Sequence, residues 1–453
     1  MSVPTDLQDA ITTWHDGLTP ELAAESSGWL TEQLRRRGLT FGERPLCTVL
    51  RPRFLTEEQY DLLRSRIAVL LRAFDKALTA ALAQPKLLDR FGLADWERTL
   101  ALEDPRIPAS PVSRLDAFFD PADGRLRFTE YNAETPAGSA YNDALTGLFW
   151  AIPAARPFLT RYALRALPAT PHVLHALLSA YARWSGRREA PVVGILDWKD
   201  VPTYSEFVLY ERLFDTLGIR CVIADVRDCE LVNGRLVAAG TPIDLIYKRV
   251  LIHELIADGG LDHPIVRAVR TGAVCMVNPF RCKVLHKKAS LAVLSDERNA
   301  KLFDRAERRI IAEHIPWTRV VEERKTVFHG ETIDLLPWME ANRERLVLKP
   351  NDDYGGAGIV LGWEVDGPAW TAAIRAALAA PFIVQERIGL PSELFPSYAD
   401  GQLQFAGRIV DTAPFIFGGA YADGCLTRVS TATLVNVTAG GGSTVPTFVV
   451  EKR

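Results

Sequence analysis

The sequence predicts a mixed α/β protein, and three observations carry that reading. Residues 1–100 show helical spacing: Leu55-Thr-Glu-Glu-Gln-Tyr-Asp-Leu-Leu63 places a Thr cap before apolar residues three and four apart. Beyond Gly186-Arg-Arg-Glu-Ala-Pro191, apolar runs alternate with a helix, the pattern of a parallel sheet with right-handed crossovers. Around residues 114–132 and 345–360, short strands are joined by turns rich in Pro and Gly.

In chain order, the helical region 1–100 leads into a segment, 101–185, with a hairpin and then Ala- and Leu-rich helix from about Ser139 to Ser185. An α/β unit follows over 186–272, with strands at 191–196, 219–224 and 243–247 and a helix at 206–217 that ends at Gly218. Ligands of such sheets sit beyond the carboxyl ends of the strands. Asp197-Trp198-Lys199 and Lys248-Arg249 fall there, as substrate contacts or as solvated loops. Arg281 and Lys283 could join Lys248 and Arg249 in lining a pocket for an acidic substrate, although surface placement fits them equally. The remaining segment is 273–453.

At 453 residues, 48% hydrophobic and 24% charged, the chain has material for two or three domains. A net charge of −3 without a basic run argues against a nucleic-acid partner. The start lacks the basic and apolar regions of a signal peptide, and no apolar stretch approaches the ~20 residues of a membrane helix. A cytoplasmic protein with no membrane partner is expected. Cys47, Cys221, Cys229, Cys275, Cys282 and Cys425 are scattered, which suits small buried hydrophobes or surface thiols better than zinc or disulfides.

The most informative segment is Arg114-Leu115-Asp116 … Glu130-Tyr131-Asn132. Side chains alternate along a strand, so Arg114 and Asp116 share a face. Asp120-Pro-Ala-Asp-Gly124 is a turn, and a hairpin symmetric about Ala122 sets Arg114 opposite Glu130 and Asp116 opposite Phe128. Glu130 and Asn132 then point to the side of Asp116. Two carboxylates, an amide oxygen and a guanidinium form a hard oxygen site with a phosphate partner, which suits magnesium. A solvated hairpin is the plainer alternative.

A second half-site lies more than two hundred residues on. A strand ends in Lys349-Pro350, and Tyr354-Gly355-Gly356-Ala357-Gly358 leads into another strand. Such a loop lets backbone N–H groups close over phosphates. It is neither a P-loop nor a dinucleotide fingerprint, because no Gly-Lys-Ser/Thr and no helix follow. Downstream an apolar strand runs into Gln385-Glu386, with Glu393 seven residues later. Upstream, His286-Lys287-Lys288 opens a helix where an anionic ligand would offset the macrodipole.

Taken together these motifs resemble the ATP-grasp superfamily. The metal hairpin precedes the lysines, as in its circularly permuted group, and the Arg-x-Asp…Glu-x-Asn and Thr135-Pro136 pattern is similar to the synthetase module of glutathionylspermidine synthase. The resemblance covers roughly residues 100–453, including a C-terminal run from Gly418 through Arg428 and Asn436 to Ser443. It implies a permuted ATP-grasp core with a Rossmann-like subdomain at 186–272, and ATP and Mg²⁺ as cofactors. Asp116, Glu130 and Asn132 would hold the metal. Lys288 (or Lys287), Lys349 and the loop from Tyr354 to Gly358 would hold the phosphates. Gln385 and Glu386 would flank adenine, Glu393 would reach the ribose, and Arg114 and Arg428 would serve the transferring phosphoryl group. The implied reaction joins small-molecule carboxylate and amine substrates. A phosphotransferase and a non-catalytic nucleotide-binding protein are the alternatives. The first hundred residues would serve self-association or substrate binding.

Overall fold

The computed structural model describes residues 5–42, 44–352, 356–432 and 442–453. Tyr354, Gly355 and Asn436 lie outside the described residues.

The helix Glu57–Ala83 opens with a capping box at Thr56 and buries Tyr60, Leu63, Ile67, Leu70 and Phe74 along one face. That face packs on Leu115, Phe128 and Tyr131 of the hairpin. The strand Arg53–Leu55 pairs in parallel with the last strand, Gly442–Lys452. The first hundred residues therefore share their core with the hairpin and the C-terminus.

Of the six sheets among the described residues, the three largest organise the fold. In the largest, strands run in the order Ser392–Ala399, Gln402–Val410, Tyr421–Ser430, Ala413–Phe417, Val112–Asp120 and Arg125–Asn132. Gly442–Lys452 joins it beside Tyr421–Ser430. A parallel sheet has the order Cys275–Val277, Leu245–Lys248, Val193–Asp197 and Cys221–Asp225, as the strand–helix alternation predicts. An antiparallel sheet orders Thr318–Val320, Phe382–Glu386, Leu346–Pro350 and Val360–Leu361 around a core of Trp317, Leu346, Leu348, Trp370 and Val384.

Two expectations are corrected. The helices expected from about Ser139 to Ser185 are Ser139–Ala151, Ala155–Phe158 and Thr170–Ser185, but the strand Tyr162–Ala166, paired with Gly442–Lys452, comes between the second and the third. The hairpin is not symmetric about Ala122: Asp120 pairs with Arg125, and an irregularity between Asp116 and Ala117 leaves Thr129 as an extra residue. Asp116 thus faces Glu130, and Arg114 faces Asn132. Each of the two slips alone would reverse the side chains; together they restore the shared face.

Candidate active site

Segments far apart in sequence meet around the hairpin. Asp116 is 5% exposed, and Arg114 donates to it through Nε (2.6 Å) and Nη2 (3.0 Å) while Arg428 Nη2 donates at 2.8 Å. Burial pushes the Asp116 carboxyl up, but the two guanidinium groups prevail and hold it well below the usual carboxylate range. Arg428 is gripped from its other side by buried Asp411, which accepts its backbone N–H at 2.6 Å and pairs with its guanidinium.

Glu130 accepts from Lys288 Nζ at 2.9 Å. Burial raises its carboxyl, and Lys288 outweighs that to give a net lowering. Asn132 presents a buried amide nitrogen with no hydrogen-bond partner among the described residues. Lys349 Nζ donates to Gln385 Oε1 at 2.7 Å and to the Thr129 carbonyl at 3.4 Å. Burial pushes this ammonium down to about 8, with Glu130 opposing and Lys288 reinforcing the shift. Asn351 ties the two lysines together: its carbonyl accepts the Lys288 N–H at 2.9 Å and its side chain the Ala289 N–H at 2.8 Å. Lys287 turns elsewhere, to Glu97 and Asp352 at 2.8 Å each, so Lys288 is the lysine paired with Glu130. Around Asp116, Glu130 and Asp411 stand Arg114, Arg428, Lys288 and Lys349, four cations to three acids.

Two carboxylates from the sequence reading are engaged elsewhere. Glu386 follows Gln385 on a strand, so it points to the opposite face, where His329 Nε2 meets it at 2.9 Å. Glu393 is the counter-ion of the fully buried Arg51 (2.9 Å) and Arg53 (3.4 Å). Two guanidinium groups without water require that charge locally, which the spacing from Gln385 does not reveal. Gly356 and Gly358 carry φ of +79° and +68°, the left-handed region that glycine accepts most readily.

No family model matches the chain. It is 24% identical over 461 residues to a Frankia alni protein named "Putative glutamate--cysteine ligase 2-3" and 24% identical over 458 residues to "Putative glutamate--cysteine ligase 2-2" of Frankia casuarinae. Each match covers 94% of this chain, which spans about half (50%) the length of those curated relatives. A solved glutathione synthetase-like effector of Globodera pallida, in apo form, superposes with a TM-score of 0.59 at 12% identity. The fold is the ATP-grasp fold. The superposition takes in 95% of this chain and 98% of that one, so the helical first hundred residues lie within the shared ATP-grasp architecture and are not an appendage.

A second charged cluster takes up Lys248 and Lys283, two of the residues that the sequence offered for an acidic-substrate pocket. Glu134 is fully buried, accepts from Lys283 Nζ at 3.1 Å and from the Ile252 N–H at 2.6 Å, and lies 3.6 Å from Lys248 Nζ. Lys283 also reaches Asp352 at 2.7 Å. Burial pushes the neighbouring His286 down to about 4. Glu134, His286 and Asp352 offer donor atoms within 4.8 Å of one another, but the Lys283 ammonium already bridges the two carboxylates there. Lys248 and Lys283 thus meet buried carboxylates of the chain itself, and Glu97, Glu134 and Asp352, which complete the cluster, carried no signal in the sequence.

Arg249 and Arg281 prove to be staples. Arg249 pairs with Glu206 at 3.0 Å and donates to the Pro136 carbonyl, and Arg281 donates to the carbonyls of Ala101, Leu102 and Glu103. The loop after the hairpin is held on several sides: Arg114 donates to the Ala137 carbonyl, Asn278 to those of Ala133 and Glu134, and Gly138 N–H to Glu206. Gly138 has φ +105°, and a Cβ there would stand 2.9 Å from Leu426. Among the described residues no helix is long and apolar enough to cross a membrane.

Proposed function

We propose that the chain is an ATP-dependent ligase that joins a small-molecule carboxylate to an amine through an acyl phosphate. The observation that carries this reading is the convergence of Asp116, Glu130 and Asn132 with Lys288, Lys349 and Arg428, drawn from three distant segments, with one cation in excess. A surplus positive charge in a buried setting suits polyphosphate. The ligase names of the Frankia relatives support the same reaction class, and the hairpin preceding the lysines along the chain suits a circularly permuted arrangement.

A carboxylate is too poor an electrophile to meet an amine directly. In the proposed reaction its oxygen attacks the γ-phosphorus of ATP and ADP leaves; the amine then attacks the acyl carbon, phosphate leaves and the nitrogen gives up a proton. Such chemistry asks the protein for positioning and charge rather than covalent participation. The carboxylates of Asp116 and Glu130, paired with Arg114, Arg428 and Lys288 here, would hold Mg²⁺ by sharing their oxygens with it, and Asn132 would join them once its amide presents its oxygen. Bound there, Mg²⁺ supplies charge neutralisation on the transferring phosphoryl group. Lys288 and Lys349 contact the inner phosphates, and the loop of Tyr354, Gly355, Gly356 and Gly358 excludes water that would hydrolyse the acyl phosphate. The backbone at Gln385-Glu386 bonds adenine. Arg114 and Arg428, prepositioned on Asp116, stabilise the transferring group and the oxyanion that follows.

A screen of ADP release with paired acids and amines and Mg²⁺ tests this. Release that requires both substrates supports the ligase. Release that needs no amine and leaves a stable phosphorylated product would replace it with a phosphotransferase, and ATP binding without any release would leave a nucleotide-binding protein.

A further inference from the structure

We infer that Asp411 is a positioning residue for the proposed phosphoryl transfer, the group that aims the Arg428 guanidinium at the transferring phosphoryl; this rests on the ligase reading for what Arg428 does. Asp411 lies between the strands Gln402–Val410 and Ala413–Phe417 and is 2% exposed. The last residues paired between Gln402–Val410 and Tyr421–Ser430 are Val410 and Val429, which sets Asp411 opposite Arg428. A hydrogen-bonded pair in an antiparallel ladder exchanges two backbone bonds. Only one forms here, from the Asp411 N–H to the Arg428 carbonyl at 3.0 Å. The Asp411 carbonyl is turned away to Arg53 Nη1, also at 3.0 Å, and Oδ1 of its side chain takes the Arg428 N–H instead, at 2.6 Å.

That exchange of side chain for backbone uses one carboxylate oxygen. A turn that had only to satisfy the Arg428 N–H needs no more than one acceptor, which Asn or Ser also supplies. The second oxygen acts on the guanidinium. Oδ2 accepts from Arg428 Nε and pairs with Nη2, while Nη2 also donates to Asp116 Oδ2 at 2.8 Å. Nε and Nη2 thus form one edge of the planar fork, seated between two buried carboxylates. Among the described residues Nη1 has no partner, and the side chain is 19% exposed. Because the group is planar, fixing one edge fixes the direction of the remaining N–H groups. A donor stabilises developing charge best where it already stands in place, and Asp411 supplies that placement.

Arg53 carries the support back to the first hundred residues. Fully buried, it donates to the Asp411 carbonyl, to Thr412 Oγ1 and, at 3.2 Å, to the carbonyl of Phe119, on the strand that bears Asp116. One side chain of the N-terminal region thereby ties the Asp411 turn to the hairpin.

Asp411→Asn tests the role, since it keeps an acceptor for the Arg428 N–H but sets an amide N–H₂ against Nε, donor facing donor. With an acid–amine pair identified by ADP release, kcat should fall about tenfold or more while the KM for ATP changes less than about twofold. Urea unfolding should stay close to that of the parent chain. Asp411→Ser, with one acceptor and no second oxygen, should show the same split. In an Arg428→Lys background Asp411→Asn should add less than about twofold, because a residue acting through another is not additive with it. Unchanged kcat, an equal fall in both backgrounds, or a loss of activity that only follows loss of folded protein overturns the inference.

Calorimetric titration with MgADP, with and without aluminium fluoride as a mimic of the transferring phosphoryl group, separates the two readings. Asp411→Asn should leave the ADP affinity in place and remove most of the gain that the fluoride brings. That loss without amine-dependent ADP release keeps Asp411 in its role and removes the ligase. Amine-dependent release with kcat untouched by Asp411→Asn keeps the ligase and removes the role.

Discussion

Two clusters of buried charge lie on either side of residues 132–134, built from the same residue types, and they balance differently. Around Glu134, three ammonium groups (Lys248, Lys283, Lys287) meet three carboxylates (Glu97, Glu134, Asp352), and Lys283 is held above its ordinary pKa because those acids outweigh its burial. Around Asp116, cations exceed acids by one, and burial pushes Lys349 down to about 8. A lysine driven up is satisfied; one driven down is short of negative charge. The first cluster is balanced within itself, and the second carries a surplus of positive charge, which the proposed nucleotide would meet.

The largest expected effect tests the closed cluster. Glu134→Ala takes from buried Lys248 its carboxylate and leaves Lys283 to Glu97 and Asp352, and should cost about 3–5 kcal/mol of stability, read by urea unfolding. A loss below about 1 kcal/mol would break the comparison, since it would mean that the cluster relaxes as an open site does. The converse applies to Glu130. Its side chain is 26% exposed, so Glu130→Ala should leave the unfolding curve nearly in place while removing about 3 kcal/mol or more of transition-state stabilisation, a fall of roughly a hundredfold in kcat/KM. Near-normal ADP release in that variant would contradict the metal role.

The open cluster was the more legible of the two in the sequence, for a physical reason. Arg114, Asp116, Glu130 and Asn132 are spaced two apart on strands, so local alternation alone puts them on one side, and the compensating slips in register leave that conclusion standing. Lys349 and Gln385 end strands and mark themselves. What was hidden depends on distant partners. Tyr162–Ala166 becomes a strand because Gly442–Lys452 pairs with it, and Glu393 is taken by Arg51 and Arg53 some 340 residues earlier in the chain. Asp411, which orients Arg428, looks like any acid between two strands until the sheet is assembled.

Asp197 represents a third condition, a buried carboxylate with no ion-pair partner among the described residues. Burial pushes its carboxyl up to about 6 against an ordinary value of 3.8, with Arg249 and Lys248 opposing and Glu254 reinforcing the shift. Above pH 6 the carboxyl is ionised in both folded and unfolded chains, so the native state carries the full penalty, about 3 kcal/mol at 1.36 kcal/mol per unit. Below pH 4 it is protonated in both and the penalty vanishes. Asp197→Asn should therefore raise stability by up to about 3 kcal/mol at pH 8 and by nothing at pH 3.5, measured as a pH series of urea midpoints. A variant less stable at both pH values would place Asp197 with the balanced cluster instead.

Lys349 gives the finest discrimination, because its titration lies within reach of ordinary assays. With its ammonium at about 8, the positive charge is present at pH 7 and lost as pH rises through 8. Nucleotide affinity should be constant below pH 7 and fall about tenfold by pH 9, where roughly one-tenth of the free protein retains the charge. Phosphate drawn against the ammonium favours the protonated form, so binding at pH 8 should take up a proton and the measured enthalpy should vary with the ionisation heat of the buffer. Lys349→Arg keeps a charge that does not titrate in this range and should flatten both responses. A slope that persists in the arginine variant would assign the titration to another group and remove the contrast between the two lysines on which the open site is distinguished from the closed one.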